Sequence, residues 1–290
     1  MIQALFLQNN YHNTQYTNFC SYTANQTDLL PFYPIHWHEE IEIVKIQSGN
    51  CDVCVDGEWF SARQGDIFFL RPFAMHSFCH SGSDVQIQAI VFNLRLLGSQ
   101  QGDSSLKYFA PLLNEKHSVP CKISNQETWF EQFENCFDKL FGCDPQQDGA
   151  ELDIKSNLYQ VFYLLYSNRM LNAMSNTAEE KRCYTVKRAL EFVRSQFHKE
   201  ITIEKLASHC GYSEFYLMKL FKKFTRLSCV DYANNYRMVV AGQLLAQTDN
   251  DVSAIAYQVG FHNISYFNRQ FRRLYKTTPK EYRKKNSKPS

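Results

Sequence analysis

Three histidines and a glutamate carry the most pointed chemistry in the first half of the chain. In the stretch FYPIHWHEEIEIVKIQSG, residues 32–49, His36, His38 and Glu42 fall at even spacing. On a strand, even spacing puts side chains on one face. His76 follows Gly65 by eleven residues, in a later strand-like segment. Three imidazoles and a carboxylate converging on one point suit a divalent transition metal. The same groups with Arg71 also suit a small polar ligand, with an indole as a stacking surface. Parity places Trp37 opposite His36, so Trp59 is the better stacking candidate. Glu39 and Glu40 are expected at the solvated start of the strand.

The last third offers a different chemistry. Charge is split along the chain: residues 1–180 hold 10 Lys/Arg against 21 Asp/Glu, and residues 181–290 hold 21 against 8. A basic half joined to an acidic half points to a polyanionic partner for the basic half, most often nucleic acid. At 290 residues the chain is long enough for two domains. Met1 opens a segment without the charged start and apolar run of a signal peptide, and no apolar run approaches membrane-spanning length. Ten scattered cysteines then fit a reducing cytoplasm. Cys51 and Cys54 form a CxxC, but their odd separation on a strand puts them on opposite faces and makes packing the simpler reading.

The elements that position these residues follow from periodicity. Residues 1–34 are expected to form an arm and a first strand or two. Residues 35–94 alternate as short strands, with a hairpin signal at Asp56-Gly57. A loop is expected over 98–105. Phe130, Phe133, Phe137 and Phe141 then form one helical stripe, and Ile154, Leu158, Val161, Phe162 and Leu165 another. Such stripes are core or, outside a barrel, a dimer surface. Residues 171–182 read as a linker between domains at 1–170 and 183–290.

The basic domain contains a repeat. Ile203, Leu206, Ala207, Cys210, Gly211 and Tyr212 match Val252, Ile255, Ala256, Val259, Gly260 and Phe261 at a spacing of 49. After one inserted residue, Tyr216, Leu217, Phe221, Lys222, Phe224, Asp231 and Tyr232 match Tyr266, Phe267, Phe271, Arg272, Leu274, Glu281 and Tyr282 at 50. Each copy reads as a short helix, a glycine turn and a second helix capped by Ser213 or Asn263, which is a helix-turn-helix. In the second helices, Leu217, Leu220, Phe221 and Phe224, and Phe267, Phe271 and Leu274, point inward. Phe215, Met218 and Lys219 are left outward in the first copy, and Ser265, Asn268 and Arg269 in the second. Arg reads guanine, Asn reads adenine, and apolar groups meet the thymine methyl. Lys222, Lys223, Arg272, Arg273 and Lys276 suit phosphate. Tyr232, Tyr236, Val239, Val240 and Leu244 mark one long joining helix. That helix is expected to set two recognition helices into successive major grooves, about 34 Å apart. Thr278, Pro279 and Glu281 announce the last helix as a capping box.

The segments GYSEFYLMKLFKK and VSAIAYQVGFHNISYFNRQFRRLYKTTPKEYR resemble the double helix-turn-helix of the AraC/XylS family of bacterial transcription regulators, over about residues 183–285. The resemblance implies base-facing roles for Phe215, Met218, Lys219, Ile264, Ser265, Asn268 and Arg269. The N-terminal half looks like a cupin: His-x-His, three residues, Glu, six residues, Gly49. It departs from that pattern where Arg71-Pro72-Phe73 replaces Pro-x-Gly and His80 replaces an asparagine.

The expected fold class is therefore α+β: a cupin-like β-barrel with appended helices, then an all-α domain. Three uses of the barrel stand open: a metal-dependent enzyme with a DNA-binding accessory domain, a regulator holding a metal, and a metal-free sensory pocket. The resemblance favours the last, with no cofactor. It implies a regulator whose barrel binds a small effector, typically a sugar, through His36, His38, Glu42, Trp59, Arg71 and His76. It also implies a homodimer formed through the N-terminal domain and, for an activator, contact with RNA polymerase.

Overall fold

The computed structural model describes residues 18–26, 34–80, 84–98, 105–113, 117–173 and 177–286. The arm expected before residue 18 and most of the 98–105 loop lie outside these. The chain forms two compact units: among the described residues, one takes 18–26, 36–55 and 59–173, and the other takes 34–35, 56–58 and 177–286.

The first unit contains β1 (Phe19–Gln26), β2 (Ile41–Ser48), β3 (Asn50–Val55), β4 (Glu58–Arg63), β5 (Ile67–Leu70), β6 (His76–His80) and β7 (Val85–Phe92). Then come helix α1 (Leu106–Leu113), the short strands β8 (His117–Ser118) and β9 (Lys122–Ile123), helices α2 (Phe130–Gly142) and α3 (Ala150–Ser167), and β10 (Asn172–Ala173). Five strands form a sheet in the order β1-β7-β2-β5-β9, and three form another in the order β4-β3-β6. The β3–β4 turn places Asp56 and Gly57 at φ 49° and 84°, the double left-handed geometry that Asp-Gly favours in two-residue hairpins.

Period-two alternation sorts each strand into two cores. Val44, Ile46, Phe68, Leu70, Ile87 and Ala89 from the five-stranded sheet meet Cys51, Val53, Val55, Ala62 and Phe78 from the three-stranded one. Their neighbours in sequence, Ile41, Ile43, Ile67, Phe69, Ile90 and Phe92, face the other way and are covered by α1, α2 and α3. The two phenylalanine- and leucine-rich helical stripes are thus spent on the outer face of the sheet. Lys45 fixes α2 to β2 through Asp138 at 2.8 Å and Glu134 at 2.9 Å.

The second unit holds α4 (Thr177–Gln196), α5 (Ile203–Cys210), α6 (Glu214–Thr225), α7 (Cys229–Gln247), α8 (Val252–Gln258), α9 (Ile264–Tyr275) and α10 (Pro279–Asn286). The segment read as a linker is regular at both ends: Asn172 and Ala173 pair with Ser118 and His117, and α4 starts at Thr177. Glu179, Glu180, Lys181 and Arg182 misled that reading. They are the solvated opening of α4, and its buried face begins only at Thr185, Val186, Ala189, Leu190 and Val193. Among the described residues, no helix is long and apolar enough to cross a membrane.

Candidate functional site

The repeat of the sequence is a repeat of structure. In the first copy, Gly211 ends α5 in the left-handed region at φ 75°, where its N–H and that of Tyr212 both donate to the Ala207 carbonyl (2.9 and 3.2 Å). In the second, Gly260 sits at φ 96° and Phe261 N–H donates to the Ala256 carbonyl at 2.9 Å. Ser213 Oγ then accepts from Tyr216 N–H at 3.3 Å, and Asn263 Oδ1 from Tyr266 N–H at 2.8 Å, starting the two second helices. Both helices end on a left-handed non-glycine residue, Arg226 and Lys276.

The duplication runs further than the two-helix motif. Ser228 and Asp231 cap α7 as Thr278 and Glu281 cap α10, with Asp231 N–H donating to Ser228 Oγ at 3.1 Å and Glu281 N–H to Thr278 Oγ1 at 3.3 Å. Each module therefore has three equivalent helices, and the third helix of the first copy is prolonged into the 19-residue joining rod, about 28 Å long at 1.5 Å per residue. Arg237 braces that rod. It donates to the carbonyls of Phe197 and Lys199, both at 2.6 Å, and lies over the Phe261 ring at 5.5 Å.

The outward faces differ. On α6, Leu217, Leu220, Phe221 and Phe224 are buried, leaving Phe215 75% and Met218 46% exposed beside Lys219 and Lys222. On α9, Phe267, Phe271 and Tyr275 are buried, while Ser265, Asn268, Arg269, Arg272 and Arg273 are exposed. Leu274 is only half-buried, so Tyr275, which the sequence reading passed over, does more of the inward packing. Ile264 is also half-buried against the core of its module. The Arg269 guanidinium lies over the Tyr266 ring at 5.3 Å, which preorganises the fork. An open groove of about 1020 Å³ runs past Asn268, Arg269 and Arg272, with Ser253, Lys280 and Arg283 on its other walls. Lys280 and Arg283 come from α10, the helix announced by its capping box, and neither was singled out in the sequence because nothing in its local pattern points to this groove. Lys223 makes an ion pair with Glu179 at 2.8 Å, and Glu179 also holds Arg182. Lys276 Nζ donates to the Arg273 carbonyl at 3.0 Å.

In the first unit, His36, His38, Glu42 and His76 do converge, their ligating atoms all within 4.8 Å of one another. Glu42 and His76 project between the sheets, in register with Val44 and Phe78. His36 reaches the site through a two-way backbone bridge to His76, at 3.0 and 2.8 Å. Phe73 has φ 60°, so it adopts the conformation usually supplied by the glycine it replaces, and its N–H donates to the His38 carbonyl at 2.7 Å. Burial alone would lower the His38 pKa, but its contacts with Glu40 and Glu42 outweigh that and raise it to about 9. Burial would likewise raise Glu42, yet His38 and His76 hold it well below the usual carboxylate range.

One expected member, Trp59, faces away. Phe60 and Ala62 of β4 pack into the inner core, so parity turns Trp59 to the opposite face, away from the cluster. Arg71 directly follows β5, and its guanidinium donates to the Pro72 carbonyl at 3.1 Å. Tyr22 was not anticipated; its hydroxyl donates to Glu42 Oε1 at 2.7 Å. A tyrosine in a strand next to unpatterned sequence carries no signal of that role.

Residues 20–162 match the family described as AraC-like ligand binding domain, and residues 206–285 match the helix-turn-helix domain family. An uncharacterized HTH-type transcriptional regulator of Bacillus subtilis, YdeC, is 24% identical over 273 residues, covering 92% of each chain. The HTH-type transcriptional activator RhaS of an Enterobacter species is 23% identical over 252 residues, covering 87% of each. Among solved structures, ToxT from Vibrio cholerae aligns with 93% of this chain and 99% of its own, at 13% identity and a TM-score of 0.45. A strand-built ligand-binding domain followed by two helix-turn-helix modules defines a DNA-binding transcription regulator, not an enzyme. The chain belongs to the AraC family of such regulators.

Proposed function

We propose that the protein binds a promoter through α6 and α9 and that a small effector held in the first unit changes this binding. The carrying observation is the exposed row Ser265, Asn268, Arg269 and Arg272 on a helix whose opposite face is fully buried. Those side chains match the donors and acceptors of major-groove base edges. The first module, with Phe215 and Met218, reads methyl groups and shape, and Lys219 adds a donor. Lys222, Lys223, Arg272, Arg273 and Lys276 contact phosphate.

A carbohydrate is the preferred effector class. The 30% identical relative from Staphylococcus xylosus, matched over 147 residues, is a lactose operon transcription activator. His36, His38, Glu42, His76 and Arg71 supply polar groups, while strand parity turns Trp59 away from the inner core. The chain works as a homodimer through its first unit. On α3, Leu152 and Tyr163 remain 74% and 63% exposed after the inner stripe has been packed, and with Tyr159 they supply an apolar face. As an activator it would contact RNA polymerase, and its setting is the cytoplasm, consistent with ten cysteines that all remain thiols. The effector acts by binding one arrangement of the regulator more tightly than another, and a tenfold change in promoter occupancy needs only about 1.4 kcal/mol of that difference.

Selection of binding sites from random duplexes by the purified chain, repeated with a panel of sugars, tests this reading. A non-palindromic site bound more or less tightly with one sugar supports it; sequence-independent binding unchanged by the whole panel contradicts it.

A further inference from the structure

We propose that Arg237 locks the angle between the two helix-turn-helix modules and thereby sets the spacing of base contacts that the protein accepts. The inference rests on the reading that α6 and α9 both enter the major groove. Long helices bend, so the 19-residue rod by itself would let the modules tilt against each other. A second link between them removes that freedom.

That link is the connection between α4 and α5, residues 197–199. In sequence it leads into the first module, yet the second module grips it. Arg237 Nε donates to the Phe197 carbonyl and Nη2 to the Lys199 carbonyl, both at 2.6 Å, and Nη1 donates to Asn234 Oδ1 at 3.0 Å. The two carbonyls lie just past the end of α4, where a helix leaves its acceptors unpaired. The Phe197 ring packs against the hydrophobic core of the second module and meets Tyr236 at 5.6 Å and 65°. The turn of that module presses on the same link: a Cβ at Gly260 would lie 2.8 Å from the His198 carbonyl oxygen and 3.1 Å from that of Phe197. With Phe261 under its guanidinium at 5.5 Å, Arg237 joins the rod, the first module's entry and the second module's turn.

The first module shows that this grip is not part of the motif itself. There α4 takes the place that α7 takes in the second. Thr185, Ala189 and Leu190 are buried, and so are Asn234, Met238 and Val239, each 49 residues further on. The same step carries Arg188 to Arg237. Arg188 donates to the His209 carbonyl, inside its own module. A Cβ at Gly211 would meet nothing within 4 Å, and Tyr212 is 43% exposed where its counterpart Phe261 is buried. The arginine that closes on its own module in the first copy reaches across to the other module in the second.

Arg237 is therefore a positioning residue that acts on specificity through α9. Inserting one base pair turns the second contacted segment by about 35° around the duplex axis. Two readers held rigidly have a high effective concentration at one spacing and a low one at its neighbours. Loosening them weakens binding at the matched spacing and flattens the difference. Lysine keeps the charge but lacks the fork that reaches two carbonyls at once.

The test measures binding of the full chain to its selected site and to duplexes with one base pair inserted or removed between the two contacted segments. Wild type should lose at least ~10-fold for either change, and Arg237→Ala, weaker on the matched site, no more than ~3-fold. Arg237→Lys should fall between, and Arg188→Ala should keep the wild-type ratio. A variant that had only lost stability would bind all three duplexes more weakly by one common factor. An unchanged ratio in folded Arg237→Ala, or in Arg237→Lys if the alanine variant does not fold, would therefore overturn the proposal. A wild type indifferent to spacing would instead remove the two-groove reading, and the inference with it.

Discussion

The Tyr232 ring stands edge-on to that of Phe221, with centroids 5.5 Å apart and planes at 87°. Fifty residues on, Tyr282 meets Phe271 at 5.5 Å and 81°. The two modules are therefore the same packing solution used twice. Phe221 and Phe271 are both completely buried, so truncation leaves a cavity in either. Phe221→Ala and Phe271→Ala should each cost about 3–5 kcal/mol, measured by denaturant unfolding. A loss below about 1 kcal/mol in either copy would show that its aromatic pair is not structural.

The two turn glycines separate backbone strain from crowding. Both have positive φ, so alanine at either pays the left-handed penalty of about 1–2 kcal/mol. A Cβ at Gly211 meets nothing within 4 Å, whereas one at Gly260 would lie 2.8 Å from the His198 carbonyl oxygen. Gly260→Ala should therefore destabilise the protein clearly more than Gly211→Ala. Equal melting temperatures for the two variants would contradict the close approach.

The Glu179–Lys223 pair sets a phosphate-binding candidate against an acid of its own unit. Such partly exposed pairs are worth about 0.2–1 kcal/mol. Glu179→Gln should tighten DNA binding by up to ~5-fold at low salt. Because Lys223 is proposed to contact phosphate, Lys223→Ala should flatten the slope of log K against log salt by about 0.9. An unchanged slope would remove Lys223 from the interface.

Arg269 is the sharpest specificity determinant proposed. Arg269→Ala should cost about 1–3 kcal/mol on the selected site and abolish discrimination at one base pair. Binding to singly substituted duplexes reads this out, and a uniform loss across all of them would reassign Arg269 to the backbone.

What could be read in advance follows from how far apart the decisive groups lie in sequence. The helix-turn-helix pair was legible because its glycines, caps and buried aromatics recur locally and twice. Glu42, His36 and His38 were legible because they share one stretch, and His76 because its strand pairing brings it back. Trp59 was misplaced because its face depends on where β4 begins, and a one-residue shift inverts every side chain. The opening of α4 was hidden by its solvated first turns. The Glu179–Lys223 pair joins residues 44 apart through packing that no local pattern encodes.

Hydroxyl-radical footprinting of the full chain on its selected site tests the central claim most directly. Two protected windows one helical turn apart, about 10–10.5 base pairs, on one face of the duplex and without dyad symmetry within one chain's footprint, are predicted. In Arg269→Ala only the window read by α9 should weaken. A single window, or two that weaken together in that variant, would contradict two modules reading successive grooves.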